Sequence, residues 1–164
     1  MTKNIWVLLY VLFVSHCQTF KKVMIPDSNA VCLDGSPGAY YLADAGTNPR
    51  KFMIYFEGGG WCGAQDLPTT LESCYQRSST DFGSSSKYPS SFTFGQGILS
   101  NNLKNYFHNF TKVYLKYCDG SGHQGTRSNP VLYKGKNLYF RGQNLTISAL
   151  NHLEQTHGLF SKSV

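Results

Sequence analysis

A five-residue apolar run, Phe52-Met53-Ile54-Tyr55-Phe56, empties through Glu57 into three consecutive glycines, Gly58-Gly59-Gly60, and then Trp61 and Cys62. Aromatic and β-branched residues in such a run suit a buried strand. The glycines that follow end the strand, because residues without side chains add nothing to the packing of a sheet. They also let the main chain come very close to a bound group, so that successive N–H groups converge on an anion or oxyanion. The segment therefore constrains the fold to a buried strand with an exposed backbone loop at its carboxyl end. Glycine runs make plain flexible turns too, so the segment alone assigns no site.

A second strand with the same kind of exit is expected at Lys112-Val113-Tyr114-Leu115-Lys116-Tyr117, followed by Cys118-Asp119-Gly120-Ser121-Gly122. Upstream, the short apolar run Lys22-Val23-Met24-Ile25 is halted by Pro26. The stretch Asp34-Gly35-Ser36-Pro37-Gly38 has the composition of a tight turn. It separates expected strands at 30–33 and 39–43, which predicts an opening β-hairpin. Residues 44–50 read as a loop, and 63–94 as a long polar excursion with one helical turn near 70–76. A short apolar run at Asn137-Leu138-Tyr139-Phe140 precedes a helix expected over 143–157. There Leu145, Ala149 and Leu153 recur at helical spacing beside Leu150, and Gly158 stands just past the end. Strands that end in glycine-rich loops and then a helix predict an α/β fold with functional loops at strand carboxyl ends.

Met1-Thr2-Lys3 is a short basic start, Ile5 to Val14 an apolar run, and Ser15-His16-Cys17 a small and polar exit. This pattern predicts a secretory signal over residues 1–17, cleaved near Cys17–Gln18, and one domain over 18–164. The apolar run is too short to cross a bilayer with ease, so no membrane span is expected after its removal. A membrane anchor or a buried N-terminal strand is the plainer alternative. Cys32, Cys62, Cys74 and Cys118 remain, an even set that an exported chain uses for two disulfides in one of three pairings. A local bridge between Cys62 and Cys74 would leave Cys32 to Cys118. There is no C-x-x-C pair or clustered histidine, so neither metal nor cofactor is expected.

Two sequons, Asn109-Phe110-Thr111 and Asn144-Leu145-Thr146, make Asn109 and Asn144 candidate glycosylation sites. The net charge of +6 is scattered, with no basic run longer than Lys21-Lys22. That distribution reads as a solvated surface and excludes a nucleic-acid partner, while leaving room for a weakly attracted acidic polysaccharide.

In α/β-hydrolases a glycine-rich loop after an early strand supplies part of the oxyanion hole, in a His-Gly-Gly-Gly version in lipases. Glu57-Gly58-Gly59-Gly60 occupies the same kind of place with Glu in the position of His. Preorganised N–H donors at a tetrahedral intermediate are worth a few kcal/mol of barrier each, which is why the chemistry needs bare backbone there. Five segments follow one another in order: Glu57 to Cys62, Glu72-Ser73-Cys74, Gly97-Ile98-Leu99-Ser100, Tyr117-Cys118-Asp119-Gly120 and Phe140-Arg141-Gly142-Gln143. With Cys32 to Leu42 before them, they resemble the pectin acetylesterase family, which includes animal carboxylesterases, over residues 22–164.

The resemblance implies a secreted serine esterase of α/β-hydrolase fold that removes acyl groups, typically acetyl from pectin. A Ser nucleophile, activated by a His that an Asp orients, would form a covalent acyl-enzyme. Gly59 and Gly60, with Trp61 adjoining, match the oxyanion loop. Bridges Cys62–Cys74 and Cys32–Cys118 match the family's pattern, and Asp119, Gly120 and His123 match its pocket-lining loop. The family's nucleophile stands in a Gly-x-Ser-x-Gly elbow after the helix that here ends near Gly158. These 164 residues contain no such pattern.

The chain is accordingly expected to be the N-terminal portion of the fold, truncated before the nucleophile elbow. It would lack the Ser, Asp and His of the triad and be inactive alone. Ser121 and His123 invite a substitute pair, but near neighbours on a turn rarely reach that geometry and no later acid would orient the imidazole. His108, His152 and His157 read as surface or helix residues. A secreted, non-catalytic polysaccharide-binding module that kept the pocket loops is the alternative. Either way the expected partner is an acetylated polysaccharide or other acyl ester. Strands suited to burial on both faces would present unpaired edges in such a fragment, which predicts poor stability.

Overall fold

A computed structural model of the chain describes residues 17–43 and 48–160, so the expected signal segment lies outside the described residues except for Cys17. The elements run β1 (Gln18–Met24), β2 (Ala39–Ala43), β3 (Asn48–Phe56), α1 (Leu67–Arg77), β4 (Ser91–Phe94), β5 (Phe110–Leu115), β6 (Val131–Tyr133), β7 (Lys136–Leu138) and α2 (Gly142–His157). Five strands form one mixed sheet in the order β3-β5-β2-β1-β4, and β6-β7 form a separate hairpin. With its helices this is an α/β arrangement.

β3 and β5 are parallel, in register from Phe52 against Thr111 to Phe56 against Leu115. A parallel pair needs a long crossover, and here it carries α1 and β4. The consequence matters for the site: both glycine-rich exits emerge side by side at one end of the sheet. The other pairings are antiparallel.

Helix α2 supplies the periodic face expected of it. Leu145, Ala149 and Leu153 are buried against a core that includes Phe20, Tyr40, Tyr41, Val113 and Leu115. Burial of each leucine contributes roughly 2 kcal/mol. The helix ends where Gly158 turns left-handed at φ 64°, its N–H donating to the Glu154 carbonyl at 2.9 Å. α1 starts at Asp66, whose carboxylate accepts the Thr69 N–H at 2.8 Å, with Pro68 in the first turn.

Four local expectations are corrected. The hairpin partner of β2 is β1, with Lys21 opposite Leu42 and Met24 opposite Ala39. Residues 30–33 are a buried, turn-rich segment with a single bridge, Val31 to Pro37. Lys21 and Lys22 hide the strand character of β1, which pairs on both sides and buries Phe20 against Phe92 and Tyr114. Residues 48–50 belong to β3 instead of a loop, with a register shift between Asn48 and Phe52. The polar excursion carries an eleven-residue helix where one turn was expected, and also β4. Finally, β3, expected as a buried strand, is an outer strand in which Met53 is buried and Phe56 exposed, because no strand covers its far edge among the described residues. The hairpin β6-β7 turns through Lys134 and Gly135, both at positive φ (48° and 78°), the geometry of a tight two-residue turn.

The disulfides are Cys32–Cys118 and Cys62–Cys74, as expected. Closing loops of 86 and 12 residues, they restrict the unfolded chain by about 4–5 and about 3 kcal/mol in the chain-entropy account. β3 and β4 are the outer strands, each paired on one side only among the described residues.

Candidate active site

Glu57 ties the two strand exits together. Its carboxylate receives Lys116 Nζ at 2.6 Å, the Tyr114 hydroxyl at 3.2 Å and the Tyr117 N–H at 2.9 Å. Its own N–H donates to the Leu115 carbonyl at 3.0 Å. Both charged side chains are mostly buried, so removing either would strand the other in a poorly solvated place. Burial, and then the Glu57 charge, push the Tyr114 hydroxyl well above the usual phenol range. Glu57 is thus the rivet of the site's frame.

The glycine loop that follows is gripped by its carbonyls. Arg77, at the end of α1, donates through Nη1 to Gly59 O at 3.0 Å and Gly60 O at 2.7 Å. The Tyr117 hydroxyl donates to Gly60 O at 2.9 Å and accepts the Gly122 N–H at 3.0 Å. His123 Nε2 lies 3.0 Å from Glu57 O. The amides bracketing the loop are also satisfied, Glu57 N–H on Leu115 O and Cys62 N–H on Gly120 O, both at 3.0 Å.

The four amides between them, Gly58, Gly59, Gly60 and Trp61, meet no acceptor among the described residues. In a trans peptide C=O and N–H point opposite ways. Donors on Gly59 O and Gly60 O therefore turn the N–H groups of Gly60 and Trp61 away from Arg77. Fixed, unspent donors are what stabilisation of an oxyanion requires.

Two of the three glycines are required by the structure. A side chain at Gly59 would collide with the Tyr117 and Phe82 rings, and Gly60 sits at φ 68°. At Gly58 a Cβ would meet nothing. Trp61 is 64% exposed, and its indole lies against Gly122.

The second exit loop is scaffold. Asp119 is fully buried and accepts the Ser121 N–H at 3.0 Å, the Ser121 hydroxyl in a short bond, and the His123 N–H at 3.3 Å. Gly120 packs on Cys62 Sγ and Gly142 on the Asp119 carboxylate. His123 is a non-glycine residue at φ 63°, a conformation that costs roughly 1–2 kcal/mol. Its ring stands between Phe56 and Tyr117, with centroids at 5.3 and 5.0 Å.

A carbonyl can only accept, so His123 Nε2 carries the proton, and the buried Nδ1 has no partner among the described residues. Ser121 and His123 do not form a nucleophile–base pair. The hydroxyl is committed to Asp119 and Gly125 N–H, and the imidazole to Glu57 O. Of the residues expected to line a pocket, Asp119 and Gly120 are buried framework, and His123 touches the glycine loop.

The remaining histidines among the described residues have structural partners or surface positions. His108 Nδ1 is 2.9 Å from Asn105 O, His152 Nδ1 is 3.1 Å from the Tyr40 hydroxyl, and His157 is exposed at the end of α2. No group of His, Cys, Asp and Glu among the described residues is arranged to hold a metal ion. Sequence reasoning missed Arg77 and Tyr117. A signal for Arg77 existed: it follows Cys74 by one helical turn, so a Cys62–Cys74 bridge aims it at the loop beside Cys62.

The family model for pectinacetylesterase matches residues 15–163. Pectin acetylesterase 5 of Arabidopsis thaliana is 35% identical over 130 residues, covering 77% of this chain and 29% of that protein. The palmitoleoyl-protein carboxylesterase Notum of Schmidtea mediterranea is 34% identical over 142 residues, 84% of this chain and 25% of that protein. A protein of Danio rerio named inactive palmitoleoyl-protein carboxylesterase notum1b is 31% identical over 119 residues, 64% of this chain and 81% of its own length. The structure of the Wnt deacylase Notum from Drosophila superposes with a TM-score of 0.72 at 25% identity, covering 85% of this chain and 39% of that one. The chain spans less than a third of the length of the plant enzyme.

Proposed function

Because the chain belongs to the pectinacetylesterase family, we propose that it supplies the oxyanion-loop portion of a secreted serine carboxylesterase that removes acyl groups, acetyl foremost, from polysaccharide. The observation that carries this reading is the run of unspent amides from Gly58 to Trp61, held by donors on the loop's carbonyls. When a serine attacks an ester carbonyl, the carbonyl oxygen becomes an anion, and the N–H groups of Gly59, Gly60 and Trp61 receive it. The relatives' names differ in acyl group but share hydrolysis of a carboxylic ester.

The triad has no counterpart in these 164 residues, which contain no Gly-x-Ser-x-Gly. Ser121 is locked to Asp119. On this reading the 164 residues by themselves release no acetate. Secretion is supported by the two disulfides and by the position of Gln18 as the first residue of β1, which a cut after Cys17 leaves whole. No helix among the described residues is long and apolar enough to cross a membrane.

The test is acetate release from acetylated pectin by the purified chain. No release above buffer is expected, and turnover abolished by Ser121→Ala would overturn the reading. A second reading, a non-catalytic binding module, is favoured by the exposed Trp61 beside intact donors. Saturable binding of acetylated polysaccharide without hydrolysis would support it, and a null titration would remove it.

A further inference from the structure

The loop that leads into β5 lies at the opposite end of that strand from the glycine loop. It is built from overlapping turns, His108 N–H donating to Asn105 O at 2.9 Å and Phe110 N–H to Phe107 O at 3.1 Å. Its asparagines are nearly all spent. Asn101 Oδ1 accepts from Lys112 Nζ at 3.1 Å, Asn102 Oδ1 from the Lys104 N–H at 2.9 Å, and Asn105 Nδ2 donates to Ile98 O and Ser100 O at 2.9 and 2.7 Å. Asn109 is different: its side-chain amide makes no hydrogen bond among the described residues.

Beside it, Tyr106 is 75% exposed, its ring braced at 85° by Phe107 and at 58° by Phe110, with centroids at 5.3 and 5.8 Å. Asn109 and Tyr106 line one groove with Lys51, Leu103 and Phe110, and Leu103 is 81% exposed. Large apolar surface thus stands bare around an idle asparagine amide. The asparagine opens the sequon Asn109-Phe110-Thr111.

We propose that Asn109 carries an N-linked glycan whose first N-acetylglucosamine lies on the exposed face of Tyr106. The inference rests on the secretory reading above. Asn109 Nδ2 forms a bond to C1 of a lipid-diphosphate-linked oligosaccharide. The C1–O bond to the diphosphate breaks, the lipid diphosphate leaves with that electron pair, and Nδ2 gives up one proton. The apolar C–H face of the sugar then meets the electron-rich face of the phenol ring. Thr111, opposite Phe52 in the β3–β5 pairing, is buried once the sheet closes. The sequon is therefore read before β5 pairs, and the sugar is in place when the groove forms around it. Asn144 offers no such cradle: it sits on α2, where Leu145 is buried and the Thr146 hydroxyl donates to Gly142 O at 3.1 Å.

The test is translation of the full chain with endoplasmic-reticulum microsomes, behind its own residues 1–17 and, in parallel, behind a heterologous cleavable signal. Asn109→Gln is expected to remove one glycan step in mobility, and an unchanged ladder overturns the proposal. A glycan at Asn109 behind the heterologous signal but not the native one overturns the secretory reading alone. Stacking is read on secreted protein trimmed to a single sugar, expected to melt about 2–4 °C above the sugar-free form. The gain should vanish in Tyr106→Ala and persist in Tyr106→Phe; an equal gain in Tyr106→Ala overturns the stacking. If the protein precipitates, nitration decides instead. Tyr106 should be protected in the glycosylated chain and reactive in Asn109→Gln, and equal reactivity contradicts the contact.

Discussion

Arg77 donates one nitrogen to the Gly60 carbonyl at 2.7 Å and to the Gly59 carbonyl at 3.0 Å, across a separation of 17 and 18 residues. A loop of bare glycines would otherwise sample many conformations, and its amides would hydrate individually. Clamping the carbonyls orients two peptide planes at once, because each carbonyl fixes the N–H on its opposite side. The clamp is held in turn by the Cys62–Cys74 bridge, which anchors the helix end carrying Arg77 to the loop's last residue.

Replacing Arg77 with Met removes these two bonds and the longer one from Nη2 to Trp61 O at 3.5 Å, and is expected to destabilise the chain by about 1 kcal/mol, given the partial exposure of the guanidinium. Arg77→Lys, with a point-like ammonium in place of the fork, should recover only part of this. Urea denaturation gives the difference, and limited proteolysis should place the new cleavage between Gly58 and Cys62. Equal stability and no new cleavage would remove Arg77 from the clamp.

The three glycines should respond unequally to alanine. At Gly60 the cost is about 1–2 kcal/mol, because φ is 68°. At Gly59 the Cβ collides with Tyr117, and the cost is about 1–3 kcal/mol. Gly58→Ala should be neutral or slightly stabilising, as nothing lies near its Cβ and the unfolded chain loses freedom. A common cost at all three positions would contradict this loop geometry.

Acid should weaken the contact between α2 and the segment after β1. The Asp27 carboxyl is held below its ordinary value of 3.8, first by the Ser148 hydroxyl at 2.5 Å and then by the Asn29 N–H at 2.8 Å, with Arg141 nearby. A carboxyl whose folded pKa is depressed contributes stability above its unfolded value and loses it as pH falls through the folded one. The contribution is therefore intact above pH 3.8 and disappears below it. Ser148→Ala, which removes the largest cause, should flatten the stability–pH curve in that window, measured by denaturation midpoints. An unchanged slope would contradict the assignment.

The outer edge of β3 has no partner among the described residues, and Phe56 at its end is exposed. An unpaired strand edge of this kind favours association. The purified chain should therefore sediment as a concentration-dependent mixture and melt at low temperature. A soluble monomer with a cooperative melt at high temperature would contradict that expectation.

Much of this was legible in residue order. The β5 run, the α2 stripe of Leu145, Ala149 and Leu153, and the Gly158 stop follow from local pattern, because burial and helix capping leave direct marks. The β3 run marks a strand where expected, but its burial is not legible there: Met53 is buried and Phe56 exposed, because position in the sheet is a tertiary matter. β1 was hidden because its Lys21 and Lys22 interrupt the apolar signal, leaving Phe20 as its one fully buried apolar residue. The clamp was hidden for a related reason. Hydrogen bonds from Arg77 and Tyr117 to main-chain carbonyls depend on tertiary placement and leave no periodicity. The tempting Ser121–His123 pair dissolves once Asp119 is seen to take the hydroxyl.

Residue-resolved amide hydrogen exchange across Glu57 to Cys62 tests the central claim most directly. The account predicts slow exchange at Glu57 and Cys62, whose N–H groups are bonded, and nearly unprotected exchange at Gly58, Gly59, Gly60 and Trp61. Protection spread across all six would mean the glycine amides are already spent on the protein, and the loop could not then serve as an oxyanion site.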